Sequence, residues 1–319
     1  MRDVGYSADE IVGLAKANAR GRNAMEDRGI AAVRERLAKL PRLVEKTLEE
    51  GRALYDTATS AFPLPADITR EDVTLGGVPG ERLTPQHARE DRALIYLHGG
   101  GYGTGSPRSH RHLAGDIAKR AGVVALVPEY RLAPENPFPA AVDDALAVYR
   151  DTLKQFAPNR IAIAGDSAGG GLTVALLLAA RDAGLPMPAA AICISPWTDM
   201  TASSSSYAER ASVDPLVTIE GLQRWRQCYI GDGDRRAPLA SPAHADLRGL
   251  PPLLIQVGGD EILRGDACLL ADKARSVGID TVLEVWPQMI HVWHWYWPML
   301  DEGECANAAI AQFMRSHLA

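Results

Sequence analysis

Six short apolar runs recur along the chain, at residues 93–97, 123–127, 161–164, 190–194, 253–257 and 282–285. Segments with helical periodicity separate most of them, at 110–121, 140–155, 172–183 and 265–277. A run of four or five residues, unbroken in four cases and interrupted only by Gln256 or Glu284 in the others, is too short for a helix. It fits a strand covered on both faces, as in a parallel sheet. Parallel neighbours need crossover connections, and the intervening helices supply them. The pattern predicts an α/β fold, a mostly parallel, doubly wound central sheet with helices on both faces.

Two regions fall outside this rhythm. Residues 1–60 read as an N-terminal helical arm. Ser7 and Glu10 form a capping box that starts a helix toward Ala19. Helical periodicity continues over 28–40 and 41–58, with Pro41 in a first turn and Leu43, Val44, Thr47, Leu48 and Leu54 on one stripe. Residues 72–75 and 78–83 then read as two strands joined by Gly76-Gly77. The second interruption, between Trp197 and Ser241, holds the serines 203–206, Asp214-Pro215 and a helix over 220–229. It follows a strand, so it lies beside the carboxyl ends of the sheet, where open α/β sheets bind ligands.

Bulk properties exclude several roles. A net charge of −6 with no basic block argues against nucleic acid or an anionic membrane as partner. The longest apolar run, 172–180, is too short to span a bilayer, and residues 1–10 show no secretory signal. Cys193, Cys228, Cys268 and Cys305 lack metal or disulfide spacing and read as free thiols of a cytoplasmic protein. No His-Glu-x-x-His pattern occurs, so neither metal nor cofactor is expected.

The chemistry concentrates at strand ends. The 161–164 run leads into Gly165-Asp166-Ser167-Ala168-Gly169 and at once into a helix. Strand, G-x-S-x-G, helix is the arrangement that pushes a serine hydroxyl into the open on a strained turn, with a helix N-terminus behind it. His98-Gly99-Gly100-Gly101 follows the 93–97 strand and is a loop whose bare amides can approach a developing oxyanion. Gly100, Gly101 and Ala168 are therefore the candidate oxyanion donors, and His98 reads as a brace for the loop. A carboxylate is needed next. The strand 253–257 ends in Gly258-Gly259-Asp260, which selects Asp260 as the acid, with Glu261 pointing the other way and Asp266 inside the following helix. After the last strand comes Pro287-Gln288-Met289-Ile290-His291, so His291 is the candidate base. His294 is the competing choice, within a tryptophan-rich stretch that reads as buried helix. His87, His110, His112, His244 and His317 read as surface or core histidines. Tyr102, Trp197 and Trp293 are candidates for pocket walls.

Taken together, His98-Gly-Gly-Gly101, Tyr130-Arg-Leu-Ala-Pro-Glu135, Gly165-Asp-Ser-Ala-Gly-Gly170, Asp260-Glu-Ile-Leu263 and His291-Val-Trp293 resemble, in order, the bacterial hormone-sensitive-lipase-like carboxylesterases of the α/β-hydrolase fold. The match runs from about residue 72 to the C-terminus. The family often has a proline or small residue where Glu261 stands. The resemblance implies a catalytic domain over 61–319 and a cap formed by residues 1–60 and the insertion 198–235. It implies a serine carboxylesterase for short- to medium-chain acyl esters, working through Ser167, His291 and Asp260 and an acyl-enzyme. The partner is a small-molecule ester, and a homodimer is the assembly common in the family. A lactone hydrolase or amidase on the same site is the alternative reading. A non-catalytic small-molecule receptor on this fold is disfavoured, because such receptors lack the catalytic histidine.

Overall fold

The computed structural model describes residues 28–39, 47–59 and 62–319. Among the described residues two helices come first, α1 (Ile30–Ala38) and α2 (Leu48–Thr59). The capping box at Ser7, Pro41, and Leu43 and Val44 of the expected stripe lie outside the described residues. An eight-stranded sheet follows, built from β1 (Ile68–Leu75), β2 (Val78–Pro85), β3 (Arg89–Leu97), β4 (Val123–Pro128), β5 (Ile161–Asp166), β6 (Ala190–Ile194), β7 (Leu253–Gly258) and β8 (Thr281–Trp286). Their order is β1-β2-β4-β3-β5-β6-β7-β8. β2 pairs antiparallel with β1 and β4, and all the other pairings are parallel.

The helices of the crossovers are α3 (Pro107–Ala121), α4 (Ala140–Thr152), α5 (Ala168–Asp182) and α7 (Arg264–Ser276). Between α5 and α7 the insertion contributes α6 (Ile219–Ile230), and α8 (Asp301–His317) closes the chain. Side chains of β3 alternate between the sheet's two faces. Leu94 and Tyr96 pack with Leu113 and Ile117 of α3 and with Ile310 and Met314 of α8. Ala93, Ile95 and Leu97 join the core formed with α4, α5 and α7. Burial of these apolar surfaces is the main stabilising term of the fold. No described helix is long and apolar enough to cross a membrane.

Several elements differ from the sequence reading. β1 begins at Ile68 because this edge strand exposes Thr69-Arg70-Glu71-Asp72, a polar stretch without an apolar run. α3 begins at Pro107, capped by Ser106, whose hydroxyl accepts from Ser109 N while Ser109 Oγ accepts from Ser106 N. α8 has no counterpart in the sequence reading, although Asp301, Glu302 and Glu304 in its first turn and Arg315 in its last complement the helix dipole. The tryptophan-rich stretch folds as a 3₁₀ turn, Trp293–Tyr296, and not as an α-helix.

Candidate active site

Ser167 sits between β5 and α5 with φ 55° and ψ −119°. That conformation costs a non-glycine residue roughly 1–3 kcal/mol, so the surroundings must impose it. They do so through close approach. A Cβ on Gly165 would collide with the backbone of Gly169, and one on Gly169 with the carbonyl oxygens of Leu97 and His98. Ser167 N donates to Ile194 O at 2.8 Å, and Trp197 N donates back to Ser167 O at 2.9 Å, which ties the turn to the end of β6. The Ser167 hydroxyl has no hydrogen-bond partner among the described residues.

The next residue after β6 carries the connection further. Ser195 is fully buried, donates its hydroxyl to Glu261 Oε1 at 2.7 Å and accepts from Val292 N at 3.1 Å. Gly258 N also donates to Glu261 Oε1, at 2.6 Å. Those two donors fix the carboxylate, and its other oxygen, Oε2, lies 2.9 Å from His291 Nδ1. A carboxylate only accepts, so Nδ1 carries the proton and Nε2 keeps its lone pair. Burial opposes protonation of His291. The hydrogen bond and charge of Glu261, joined by the charges of Asp214 and Asp166, outweigh it and hold the imidazole's pKa above its ordinary value.

The carboxylate beside His291 is thus Glu261 and not Asp260. The two differ sharply in burial, since the Glu261 side chain is 0 % exposed and that of Asp260 is 25 % exposed. Asp260 points outward to Arg34 of α1, whose Nη2 lies 2.6 Å from Asp260 Oδ2. The physical reason is the end of β7 at Gly258. Strand alternation stops there, Gly259 and Asp260 form a turn, and the turn rotates the next side chain, Glu261, inward. Gly259 N to Trp286 O at 2.7 Å and Asp260 N to Met289 O at 3.0 Å zip this loop to the one carrying His291.

Arg34 and Asp214 knit the rest of the chain onto the same place. Arg34 Nη1 donates to Val213 O at 3.0 Å, and its Nη2 reaches Gln288 O at 3.3 Å. The next residue, Asp214, accepts from Ile262 N at 3.0 Å through Oδ2, and from Leu216 N and Val217 N through Oδ1. Burial raises the Asp214 pKa, against the pull of the His291 charge.

The glycine loop approaches from β3. The N–H groups of Gly100, Gly101 and Ala168 have no acceptor among the described residues. His98 is buried, its Nδ1 2.8 Å from Gly99 O and its ring stacked 4.1 Å from Tyr130, whose hydroxyl donates to His98 O at 2.6 Å. Burial pushes its pKa down to about 3, so it is a neutral brace. Gly99 N donates to His110 Nε2 and to Asp166 Oδ1, each at 3.2 Å. Asp166 is held below the usual carboxylate range. Burial alone would raise it, but His110 and the Tyr96 hydroxyl, 2.9 Å away, reverse that. Arg52 of α2 closes the loop's far end by donating Nε to Gly103 O at 2.8 Å while pairing with both oxygens of Glu135 at 2.8 Å.

His294 is buried with Nε2 2.8 Å from Gln256 Oε1, and burial pushes its pKa down to about 3, which fits a core residue and not the base. Tyr102, Trp197 and Trp293 are 1 %, 2 % and 0 % exposed. Packed this tightly, they offer a ligand no surface, contrary to the expectation that they line a pocket. Tyr102 instead stacks on Tyr229 of α6, with ring centroids 3.7 Å apart. Sequence reasoning missed Trp225, also on α6, whose indole lies against Gly101 and Gly103. No cluster of potential metal ligands exists among the described residues. A separate polar cavity of about 580 Å³, lined by Arg70, Asp72, Glu81 and Arg108, contains neither Ser167 nor His291.

Comparison with known proteins places this geometry. The sequence pattern described as the α/β-hydrolase fold matches residues 94–295. A crystal structure described as an esterase from the bacterial hormone-sensitive lipase family is 47 % identical. It superimposes with a TM-score of 0.87 over 91 % of this chain and 97 % of that one. The chain belongs to that family of carboxylesterases. Among its relatives, an acetyl-hydrolase of Streptomyces hygroscopicus is 48 % identical over 84 % of this chain and 90 % of its own length. The carboxylesterase NlhH of Mycobacterium tuberculosis is 30 % identical, with 82 % of each chain covered. In this esterase the side chains just described converge at the carboxyl ends of β3, β5, β6, β7 and β8, the edge of the sheet where α/β folds place their chemistry.

Proposed function

We propose that this esterase cleaves short- to medium-chain acyl esters with Ser167 as nucleophile, His291 as general base and then general acid, and Glu261 as the carboxylate that orients His291. The observation that carries the reading is the Glu261–His291 contact at 2.9 Å, which directs the basic Nε2 away from the carboxylate. Ser167 Oγ adds to the ester carbonyl carbon as its proton passes to His291 Nε2. The tetrahedral oxyanion accepts hydrogen bonds from the N–H groups of Gly100, Gly101 and Ala168. Its collapse breaks the bond to the alcohol oxygen, which takes the proton from His291. Water then adds to the acyl-enzyme carbonyl, losing its proton to His291, and collapse breaks the bond to Ser167 Oγ, which takes that proton as the acid departs.

The insertion 198–235 and the N-terminal arm act as a cap that bounds the acyl group. Support comes from the bonds of Arg34 and Asp214, which anchor both pieces beside the acid and histidine loops. Similarity to a relative described as an acetyl-hydrolase supports a small acyl group in the substrate of this chain. Four free thiols, Cys193, Cys228, Cys268 and Cys305, are in keeping with action in the reducing cytoplasm.

The test is Ser167→Ala assayed on p-nitrophenyl butyrate, with circular dichroism to check the fold. Hydrolysis is expected to disappear, and a fluorophosphonate is expected to label Ser167 in the parent protein. Substantial hydrolysis by a folded Ser167→Ala protein, or a label mapped elsewhere, would refute the proposal.

A further inference from the structure

We propose that Trp225 is the residue through which the cap limits acyl-chain length, an inference that rests on the ester-hydrolysis reading above. Trp225 lies in the middle of α6, the helix of the insertion, which starts at a Thr218 cap whose hydroxyl accepts from Gly221 N at 3.0 Å. Its indole spans two glycines of the loop after β3. A Cβ placed on Gly101 would come within 2.7 Å of both Cγ and Cδ1 of Trp225, and one placed on Gly103 would strike the benzo ring. The five-membered ring therefore covers Gly101 and the six-membered ring covers Gly103.

Both sides of the loop are fixed. Arg52 holds Gly103 O from the α2 side, and Thr104 N and Oγ1 both bond Gly100 O at 2.9 Å. The loop therefore cannot yield to make room for a longer chain. Trp225 is only partly buried, in contrast to Tyr102, Trp197 and Trp293, and the Arg224 guanidinium lies 5.6 Å from its ring centroid.

Position then dictates effect. A carbonyl oxygen held by Gly101 N–H sits about 2.9 Å from that nitrogen. The first few methylenes attached to that carbonyl begin next to the residue on which the indole rests. A small acyl group stops short of the ring, whereas a longer one meets it.

The experiment compares kcat/KM of the parent, Trp225→Ala, Trp225→Leu and Trp225→Phe on p-nitrophenyl acetate, butyrate and octanoate. With Ala or Leu, the octanoate-to-acetate ratio is expected to rise about tenfold or more. Phe is expected to fall between parent and Ala, and acetate hydrolysis to stay within about threefold of the parent. An unchanged ratio would overturn the proposal. So would a parallel fall on all three esters, which would mean that the ring only props the glycine loop. Trp225→Leu and Trp225→Phe carry the test if the alanine variant is insoluble. Failure here is distinct from failure of the catalytic reading, because the latter shows as hydrolysis that survives Ser167→Ala whatever stands at 225.

Discussion

Glu261→Gln and Asp260→Asn make the sharpest pair of perturbations, since the two residues are adjacent and only one faces His291. In the parent, Oε1 of Glu261 accepts from Ser195 Oγ and Gly258 N. A glutamine at 261 keeps those two bonds only by placing its carbonyl oxygen there, which turns its NH₂ group toward His291 Nδ1. An NH₂ group donates, so Nδ1 must accept and the imidazole proton moves to Nε2, the atom that has to take the proton of Ser167. The fold keeps its bonds and the base is lost. Loss of the correct tautomer by the equivalent change in other serine hydrolases lowers kcat by roughly 10⁴, and a fall of about 10³–10⁴ is expected here. Asp260→Asn removes an ion pair whose side chains are 31 % and 25 % exposed, worth no more than about 1 kcal/mol after solvent screening. Its kcat on p-nitrophenyl butyrate is expected within about threefold of the parent. The reasoning fails if Asp260→Asn loses as much activity as Glu261→Gln, or if Glu261→Gln retains more than about a tenth of parental kcat while its thermal melt is unchanged.

Two further predictions concern pH and backbone. His291 must be neutral to act as base, and its pKa lies above the ordinary 6.5. Activity is therefore lost as pH falls through a value above 6.5, and Glu261→Gln shifts the acid limb of kcat/KM to lower pH. An acid limb with its midpoint at or below 6.5 in the parent contradicts the charge arrangement described. Gly169→Ala, which drives a Cβ into two carbonyl oxygens, is expected to yield no folded protein. Gly122→Ala has open space at φ 71° and is expected to cost about 1–2 kcal/mol. Thermal melts of both variants settle the matter, and a Gly169→Ala protein melting within a few degrees of the parent refutes it.

How much of this was legible in the sequence depended on burial. Strands covered on both faces write themselves as apolar runs, so β3 to β7 could be read directly, and edge strand β8 still carries enough apolar residues around Glu284 to stand out. β1 is exposed at 69–72 and carries charges at 70–72, so only its second half stood out. The serine turn and the glycine loop were readable because backbone crowding leaves glycine alone at 165 and 169. The carboxylate beside His291 is not the one the sequence selected, and the reason is local. The sequence presents two carboxylates side by side, and which one faces inward is decided by the turn at 259–260 and by donors from Ser195 and Gly258 that no local pattern marks. Trp225 escaped notice because the loop it covers lies more than a hundred residues away along the chain. The three aromatic residues favoured as pocket walls were instead consumed by the core, where large rings bury the most surface.

The bonds of Arg34 set an order on the birth of the active site. Its guanidinium is synthesised far ahead of its acceptors, which stand at 213, 260 and 288. Helix α1 therefore has nothing to grip until nearly the whole chain has been synthesised and β7 and β8 have joined the sheet, as expected for contacts of such sequence separation. Helix α1 is docked late, and the bonds it makes beside the His291 loop follow completion of the sheet.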